Sequence, residues 1–155
     1  MAKHTAMQIA EWFLQRNRVA MMEEDAELIS PMKLQKLLYY AQGSFLGVYN
    51  EPLFGEDLLA WEHGPVVECV YQAYRRYGAA GIPYDADFDS SIFTPEENDL
   101  LNEVYDTFGQ YSASKLRNMT HEETPWKTTQ RNHVIDTAVI KDYFIQEYLN
   151  NGRCA

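Results

Sequence analysis

Two hydroxyl–proline pairs, each at the start of an apolar stripe, constrain the fold of this chain more than any other feature of its sequence. Ser30 precedes Pro31, and Thr94 precedes Pro95. A hydroxyl side chain can accept from the first free N–H groups of a helix, and proline suits the first helical position because no donor is needed there. Glu97 adds a carboxylate three residues after Thr94, the pattern of a capping box. Two helices are therefore predicted to begin at Pro31 and Pro95.

Apolar residues at helical spacing predict further helices on either side of these two. They are expected over residues 5–21, from Gly64 to Gly78, over residues 112–119, and after Asp136. Residues 57–62 are expected to be extended, residues 79–93 to form a loop with one short strand, and residues 120–133 to form a loop. Gly43, inside the helix that starts at Pro31, would let another element approach closely.

The predicted fold class is mainly α, a compact bundle of five or six helices with at most a small antiparallel β ladder. The length of 155 residues indicates one domain, expected over residues 1–150, with a frayed tail over 151–155. No stretch of 18 apolar residues predicts a membrane span, and the N-terminus does not have the pattern of a signal peptide. Cys69 and Cys154 form no CxxC motif, which favours a reducing, cytoplasmic location.

Negative charge is concentrated in one part of the chain. The net charge is −10, and residues 81–110 hold eight acids and no lysine or arginine. Such a field repels nucleic acid and anionic membranes and attracts a basic protein partner. The alternative is a solvated acidic face that only aids solubility. No cofactor is expected.

The segment AWEHGPV is the most unusual cluster, with Trp61, His63, Gly64, Pro65 and Val66. Gly64 and Pro65 are predicted to start a helix, which would put His63 at a helix N-terminus. A positive imidazolium is disfavoured there, so His63 is expected to be neutral and to act through hydrogen bonds. Two interpretations stay open: a structural histidine that locks the extended segment to the helix, or a contact surface.

A second cluster joins Thr120 and His121 to Pro125 and Trp126. Thr-His-Glu can close a helix end by bonds from side chain to backbone. Trp126 beside a proline is an aromatic anchor, either for the core or for a partner.

The segment KLQKLLYYAQ combines an apolar stripe with a polar row predicted to face outward. Lys36 and Tyr40 are four residues apart and share one helix face. An ordinary amphipathic helix explains the same pattern.

Catalytic motifs are lacking in the sequence. It contains no HExxH, GxGxxG, GxxxxGK[ST] or GxSxG. A metal site could be imagined from His63, His121, Glu122 and Glu68, but no pair of histidines has ligand spacing on one helix. Cys69 has no predicted oxyanion hole, so the chain is not expected to be an enzyme.

Three segments taken together resemble the Panacea domain, a family that includes SocA-like antitoxins and phage-associated GepA-like proteins. They are KLQKLLYYAQG (33–43), PLFGEDLLAWEHGPVVECVYQAYRRYG (52–78) and MTHEETPWK (119–127), and the resemblance covers roughly residues 5–130. AWxHGPVxxxVY is the most specific part. The recurring family positions that match here are Lys36, Tyr40, Trp61, His63, Gly64, Pro65, Val66, Tyr71, Thr120, His121, Pro125 and Trp126.

The resemblance implies an antitoxin that neutralises a protein toxin encoded beside it. SocA-like members deliver the toxin to a bacterial protease, whereas other members neutralise by direct binding. Some relatives carry an added DNA-binding region, but this chain shows no basic helix-turn-helix. Two alternatives remain: a phage-associated protein-interaction module without a toxin partner, and an enzyme that uses His63 and His121 as acid–base groups.

Overall fold

In a computed structural model, the structure describes residues 2–84 and 86–149. Helical residues make up 64% of this part of the chain, and the strands form a two-stranded antiparallel sheet. The α-helices are α1 (Ala6–Glu24), α2 (Pro31–Tyr49), α3 (Glu68–Tyr74), α4 (Pro95–Phe108), α5 (Ala113–His121), α6 (Thr124–Lys127) and α7 (Thr137–Phe144); the strands are β1 (Leu59–Trp61) and β2 (Gly64–Val66). Shorter 3-10 turns cover Arg75–Ala80 and Ser90–Ile92, and a π-turn, Ile145–Leu149, continues α7. The predicted mainly-α fold class is confirmed.

The helix starts predicted from caps are confirmed. Ser30 Oγ accepts from the Lys33 N–H at 3.2 Å, with Pro31 as the first helical residue. Thr94 and Glu97 form the reciprocal capping box, with bonds of 3.1 and 2.9 Å. At the last helix Asp136 accepts from the Ala138 N–H at 2.9 Å.

Helix α2 is the centre of the molecule. It packs against α1, α3, α4, α5, α7 and β2, and its residues from Leu34 to Gly43 are all buried. The prediction of an outward polar row on this helix is therefore wrong. The polar side chains are retained because they bond to backbone of neighbouring segments: Gln35 to Val67, and Gln42 to Leu53 and Phe54.

The predicted close approach at Gly43 has a partner. A Cβ atom at this position would collide with the ring of Phe144 in α7. Glycine thus lets α7 lie directly on α2, the pair of helices with the most extensive contact.

The prediction that a helix begins at Gly64 is wrong. Gly64, Pro65 and Val66 instead form β2, which pairs with β1 in the register Leu59–Val66 and Ala60–Pro65. Gly64 has φ +114°, outside the helical region, and α3 begins only at Glu68.

Three boundaries also differ from the sequence-based expectation. Helix α1 continues to Glu24, and the predicted loop over 120–133 contains the end of α5 and the four-residue α6. The described residues of 79–93 contain a 3-10 turn where a short strand was expected. The predicted frayed tail and Cys154 lie outside the described residues. None of the helices in residues 2–84 and 86–149 is long and apolar enough to cross a membrane.

Candidate binding groove

An open groove of about 700 Å³ lies between α2, the β1–β2 hairpin, α3 and the start of α5. We call it the hairpin groove. Among its lining residues are Met32, Lys36, Trp61, His63, Val66 and Tyr71. The structure thus brings five of the sequence-predicted site residues to one concave surface.

The hairpin positions the aromatic wall of this groove. Glu62 and His63 form the exposed two-residue turn between the strands. Trp61, the last residue of β1, meets Tyr71 of α3 edge to face, with ring centroids 5.0 Å apart. Both side chains are partly exposed, so their rings remain available to a partner.

Gly64 locks the hairpin onto the helices beneath it. A Cβ on this residue would lie 2.7 Å from Lys36 Cε and 2.9 Å from Thr120 Oγ1. These distances are below ordinary van der Waals contact, so only glycine lets the β2 backbone rest on both side chains. Thr120 is fully buried, and its hydroxyl donates to Arg117 O at 2.8 Å.

Lys36 lies at the floor of the groove with a relative exposure of 1%. Its ammonium group donates to Pro65 O at 3.2 Å. Burial, together with the smaller effect of the positive charge of Arg117, lowers the pKa of Lys36 to about 7.

His63 is exposed in the hairpin turn and is not at a helix N-terminus, so the helix dipole does not act on it as the sequence pattern predicts. Its Nδ1 accepts from Arg117 Nε at 3.1 Å. His63 thus contributes one hydrogen bond between the hairpin and α5, while Gly64, Pro65 and Lys36 make the buried part of this contact; its exposure favours the contact-surface interpretation.

His121 and Trp126 stack on each other behind the hairpin, with centroids 3.9 Å apart and planes at 14°. Trp126 Nε1 donates to Trp61 O at 2.7 Å, and the Arg131 guanidinium lies 3.7 Å from its ring centroid. Pro125 is buried beside it. These contacts are all internal, so they favour the core interpretation of Trp126.

Tyr40 lies away from the hairpin groove, in a cluster that the sequence did not reveal. Tyr39 and Tyr40 donate to the two carboxylate oxygens of Glu123, each at 2.9 Å, and Tyr148 donates to the same carboxylate. Glu123 is buried, which raises the pKa of its carboxyl group, while the three phenol bonds act in the opposite direction. Its position just before α6 gave no local signal of burial.

The structure gives little support to a metal site or to a reactive thiol, the two other kinds of site considered from the sequence. Within residues 2–84 and 86–149, no three His, Cys, Asp or Glu side chains are grouped as metal ligands. Cys69 is exposed, and the pKa of its thiol is raised by partial burial and by Glu56, which disfavours the thiolate.

Comparisons with known proteins point to one family. The model of the family described as "Antitoxin SocA-like, Panacea domain" matches residues 34–127. Antitoxin SocA of Caulobacter vibrioides (strain NA1000 / CB15N) is 35% identical over 109 residues, covering 63% of this chain and 58% of that protein. The chain thus spans less than two thirds of the length of this curated relative. No solved structure matches this chain.

Proposed function

Since this chain belongs to the SocA-like antitoxin family with a Panacea domain, we propose that it is the antitoxin of a toxin–antitoxin pair. It neutralises a protein toxin encoded by a neighbouring gene, in the cytoplasm, by binding it directly and without catalysing a reaction. The observation that carries this proposal is the family match over residues 34–127, which contains the groove residues from Lys36 to Tyr71.

The hairpin groove is the proposed toxin-binding surface. It presents the partly exposed aromatic pair Trp61–Tyr71 beside the exposed His63. Aromatic side chains in a concave surface are typical of the residues that dominate binding energy in protein interfaces. With a net charge of −10, the chain alone binds neither nucleic acid nor an anionic membrane.

Co-expression with the neighbouring gene tests the function. The neighbour alone should arrest growth, and this chain should restore growth and co-purify with the neighbour's product. If the neighbour is harmless, or if growth is not restored, the antitoxin proposal is wrong. A harmless neighbour that still forms a complex would support the alternative of an interaction module without a toxin.

A pair of histidine variants tests the surface. His63→Ala should weaken toxin binding about tenfold or more while changing the free energy of unfolding by no more than about 0.5 kcal/mol, because the side chain is exposed. His133→Ala, which removes another exposed histidine outside the groove lining, is the matched control and should leave binding unchanged. If His63→Ala loses stability, or if both variants bind the toxin equally well, His63 is not part of the toxin-binding surface.

Delivery of the toxin to a protease is an alternative to direct inhibition, and the half-life of the toxin in the same cells distinguishes the two. The half-life of the toxin is followed after protein synthesis is blocked, with and without this chain. A shorter half-life in its presence indicates an adaptor for proteolysis. An unchanged half-life, together with a stable complex, indicates neutralisation by binding alone.

A further inference from the structure

Four nitrogen-bearing side chains gather at the hairpin groove: Lys36 and His63 line it, and Arg117 and His121 lie next to them. Arg117 donates to His63 and lowers the pKa of both Lys36 and His121 through its positive charge. In each of these two groups burial is the larger cause of the lowered pKa. The cluster is therefore a partly desolvated basic site in an otherwise acidic chain.

The described part of the chain supplies this cluster with no counter-ion. Its ion pairs join His4 to Glu97, Arg16 to Asp106, Arg18 to Asp87, and Lys127 to Glu122. Lys36 bonds a backbone carbonyl instead, and Glu62, an acid that lines the groove, is exposed and forms none of these ion pairs. A buried ammonium group without an opposite charge costs free energy, which an incoming anion would offset.

A second unsatisfied group lies in the same cluster. His121 Nε2 is buried and makes no hydrogen bond of ordinary geometry within residues 2–84 and 86–149, although the Glu62 backbone lies close enough to the ring to oppose the lowering of its pKa by burial. Buried polar atoms of this kind are uncommon, so each one calls for an explanation. His121 does not itself line the groove but lies beside Arg117, so it adds a polar group to the cluster.

We propose that the hairpin groove binds a carboxylate side chain of the protein partner next to Lys36, with Arg117 adding positive charge from beside the groove lining, and an apolar side chain that packs on Trp61 and Tyr71. This inference rests on the proposed function, because it names the chemistry by which the antitoxin recognises its toxin. A single carboxylate fits the site better than a nucleic acid does, since the acidic chain repels a polyanion, whereas one carboxylate meets the charge of Arg117 and favours the protonated form of Lys36.

Peptide titration tests the site without the toxin. The labelled protein is titrated by NMR with a capped leucyl-glutamyl-leucine tripeptide and, separately, with the matched glutaminyl peptide and with inorganic phosphate. The glutamyl peptide should shift the resonances of Gly64, Thr120 and the Trp61 indole, with a dissociation constant on the order of 1 mM, typical of a small ligand with one charged contact. The glutaminyl peptide should bind at least about fivefold more weakly, a difference near 1 kcal/mol.

Two variants connect the shifts to the basic cluster. Lys36→Met and, independently, Arg117→Gln should each reduce the affinity of the glutamyl peptide several-fold, whereas Lys115→Met, at an exposed lysine of α5, should not. Arg117→Gln keeps the test valid if Lys36→Met does not fold. Equal binding of both peptides, no shifts at these residues, or shifts with phosphate alone would overturn the proposal.

The same variants separate this inference from the proposed function. If the wild-type chain rescues growth and Lys36→Met and Arg117→Gln bind the toxin equally well, the carboxylate site is wrong and the antitoxin function stands. If the wild-type chain does not rescue growth, the function fails whatever the peptides show.

Discussion

At the scale of one residue, the hairpin requires a glycine at position 64 for two separate reasons. Its φ of +114° is unfavourable for any other residue type, and a Cβ atom would press on Lys36 and Thr120. Gly78, by contrast, has φ +56°, but a Cβ atom added there would have no heavy atom within 4 Å. The two glycines thus separate backbone strain from steric contact.

Alanine substitutions measure the two effects. Gly64→Ala should lower the free energy of unfolding by roughly 2–4 kcal/mol, since it combines backbone strain with a collision in a buried contact. Gly78→Ala, the control, should lower it by less, roughly 1–3 kcal/mol, from the backbone strain of φ 56° and ψ −148° alone, since a Cβ atom there meets no neighbour. Urea denaturation gives both values. Equal losses would show that the contact with Lys36 contributes nothing.

The low pKa of Lys36 predicts a pH dependence of stability. The folded chain has a Lys36 pKa of about 7, while a lysine in the unfolded chain titrates near 10.4. Between these values the unfolded state binds more protons, so the contribution of Lys36 to the free energy of unfolding rises with pH. Below about pH 7 both states are protonated and the burial penalty is present in full.

Comparison with Lys36→Met isolates this contribution from that of other titrating groups. As pH is raised from about 7 to about 10, the free energy of unfolding of the wild-type chain should rise by roughly 1–4 kcal/mol relative to that of the variant. Urea denaturation of both proteins across this range provides the measurement. A difference that is flat with pH would mean that Lys36 is not desolvated.

At the scale of elements, the sequence predicts what is decided locally. The starts of α2, α4 and α7 follow from a cap residue and its own backbone, so Ser30, Thr94 and Asp136 indicate them directly. The start of α3 has no side-chain cap of its own. The Val67 N–H instead bonds to Gln35 Oε1 at 2.8 Å, a partner 32 residues away that no local pattern reveals.

The strand β2 is not predictable for a similar reason. Glycine followed by proline is typical of a helix start, yet Pro65 is tolerated in this strand because its partner Ala60 uses its own backbone elsewhere. The Ala60 N–H donates to His133 O at 3.0 Å, and Ala60 O accepts from Asn132 N–H at 2.8 Å. Only the fold brings residues 132–133 to this edge.

The candidate site was predictable in part. The family resemblance selected Trp61, His63, Val66 and Tyr71, which do share the groove. The burial of Lys36 was not predictable, because lysine on a helix is ordinarily exposed and periodicity does not show that a helix is covered on every side.

The hydrogen bonds of Glu123 with three tyrosines hold the segment that follows α7. Tyr148 lies in the π-turn after α7 and reaches the carboxylate that Tyr39 and Tyr40 also contact. Glu123→Ala should lower the free energy of unfolding by roughly 2–4 kcal/mol, because buried phenol donors lose their acceptor. Glu122→Ala is the control; this neighbour is exposed, and its change should stay within about 0.5 kcal/mol.

Thermal or urea denaturation with circular dichroism distinguishes the two glutamates. Glu123→Gln adds a useful comparison, since it keeps one acceptor oxygen without the buried charge. If Glu123→Ala is as stable as Glu122→Ala, the three tyrosines do not depend on this carboxylate.

At the scale of the whole molecule, charge is divided between the hairpin groove and the acidic segment 81–110. Not all of that segment is a solvated face: Glu97 is buried and bonds to His4 at 3.0 Å, and Asp85 lies outside the described residues. Asp87 and Asp99 are exposed. Asp89 caps a 3-10 turn through Ser91, so reversing its charge would also disturb local structure.

Charge reversal at Asp87 and Asp99 tests whether this segment steers a basic partner. The double variant Asp87→Lys with Asp99→Lys should slow association with the toxin several-fold and weaken its salt dependence, with little change in dissociation. Stopped-flow mixing at several salt concentrations measures both rates. The corresponding double asparagine variant should give about half the effect. An unchanged association rate would favour the alternative that the segment is only a solvated acidic face.

The burial of the middle of α2, residues 34–43, has a consequence for how the free chain is degraded. A helix at the rim of a domain can detach by itself and offer a protease an extended strand while the remainder stays folded. Residues 34–43 of α2 have no such route, because they are all buried and the helix packs against α1, α4, α5 and α7. Cleavage inside residues 34–43 of the unbound chain would therefore follow global unfolding, and the lifetime of this segment would be set by the stability of the whole domain.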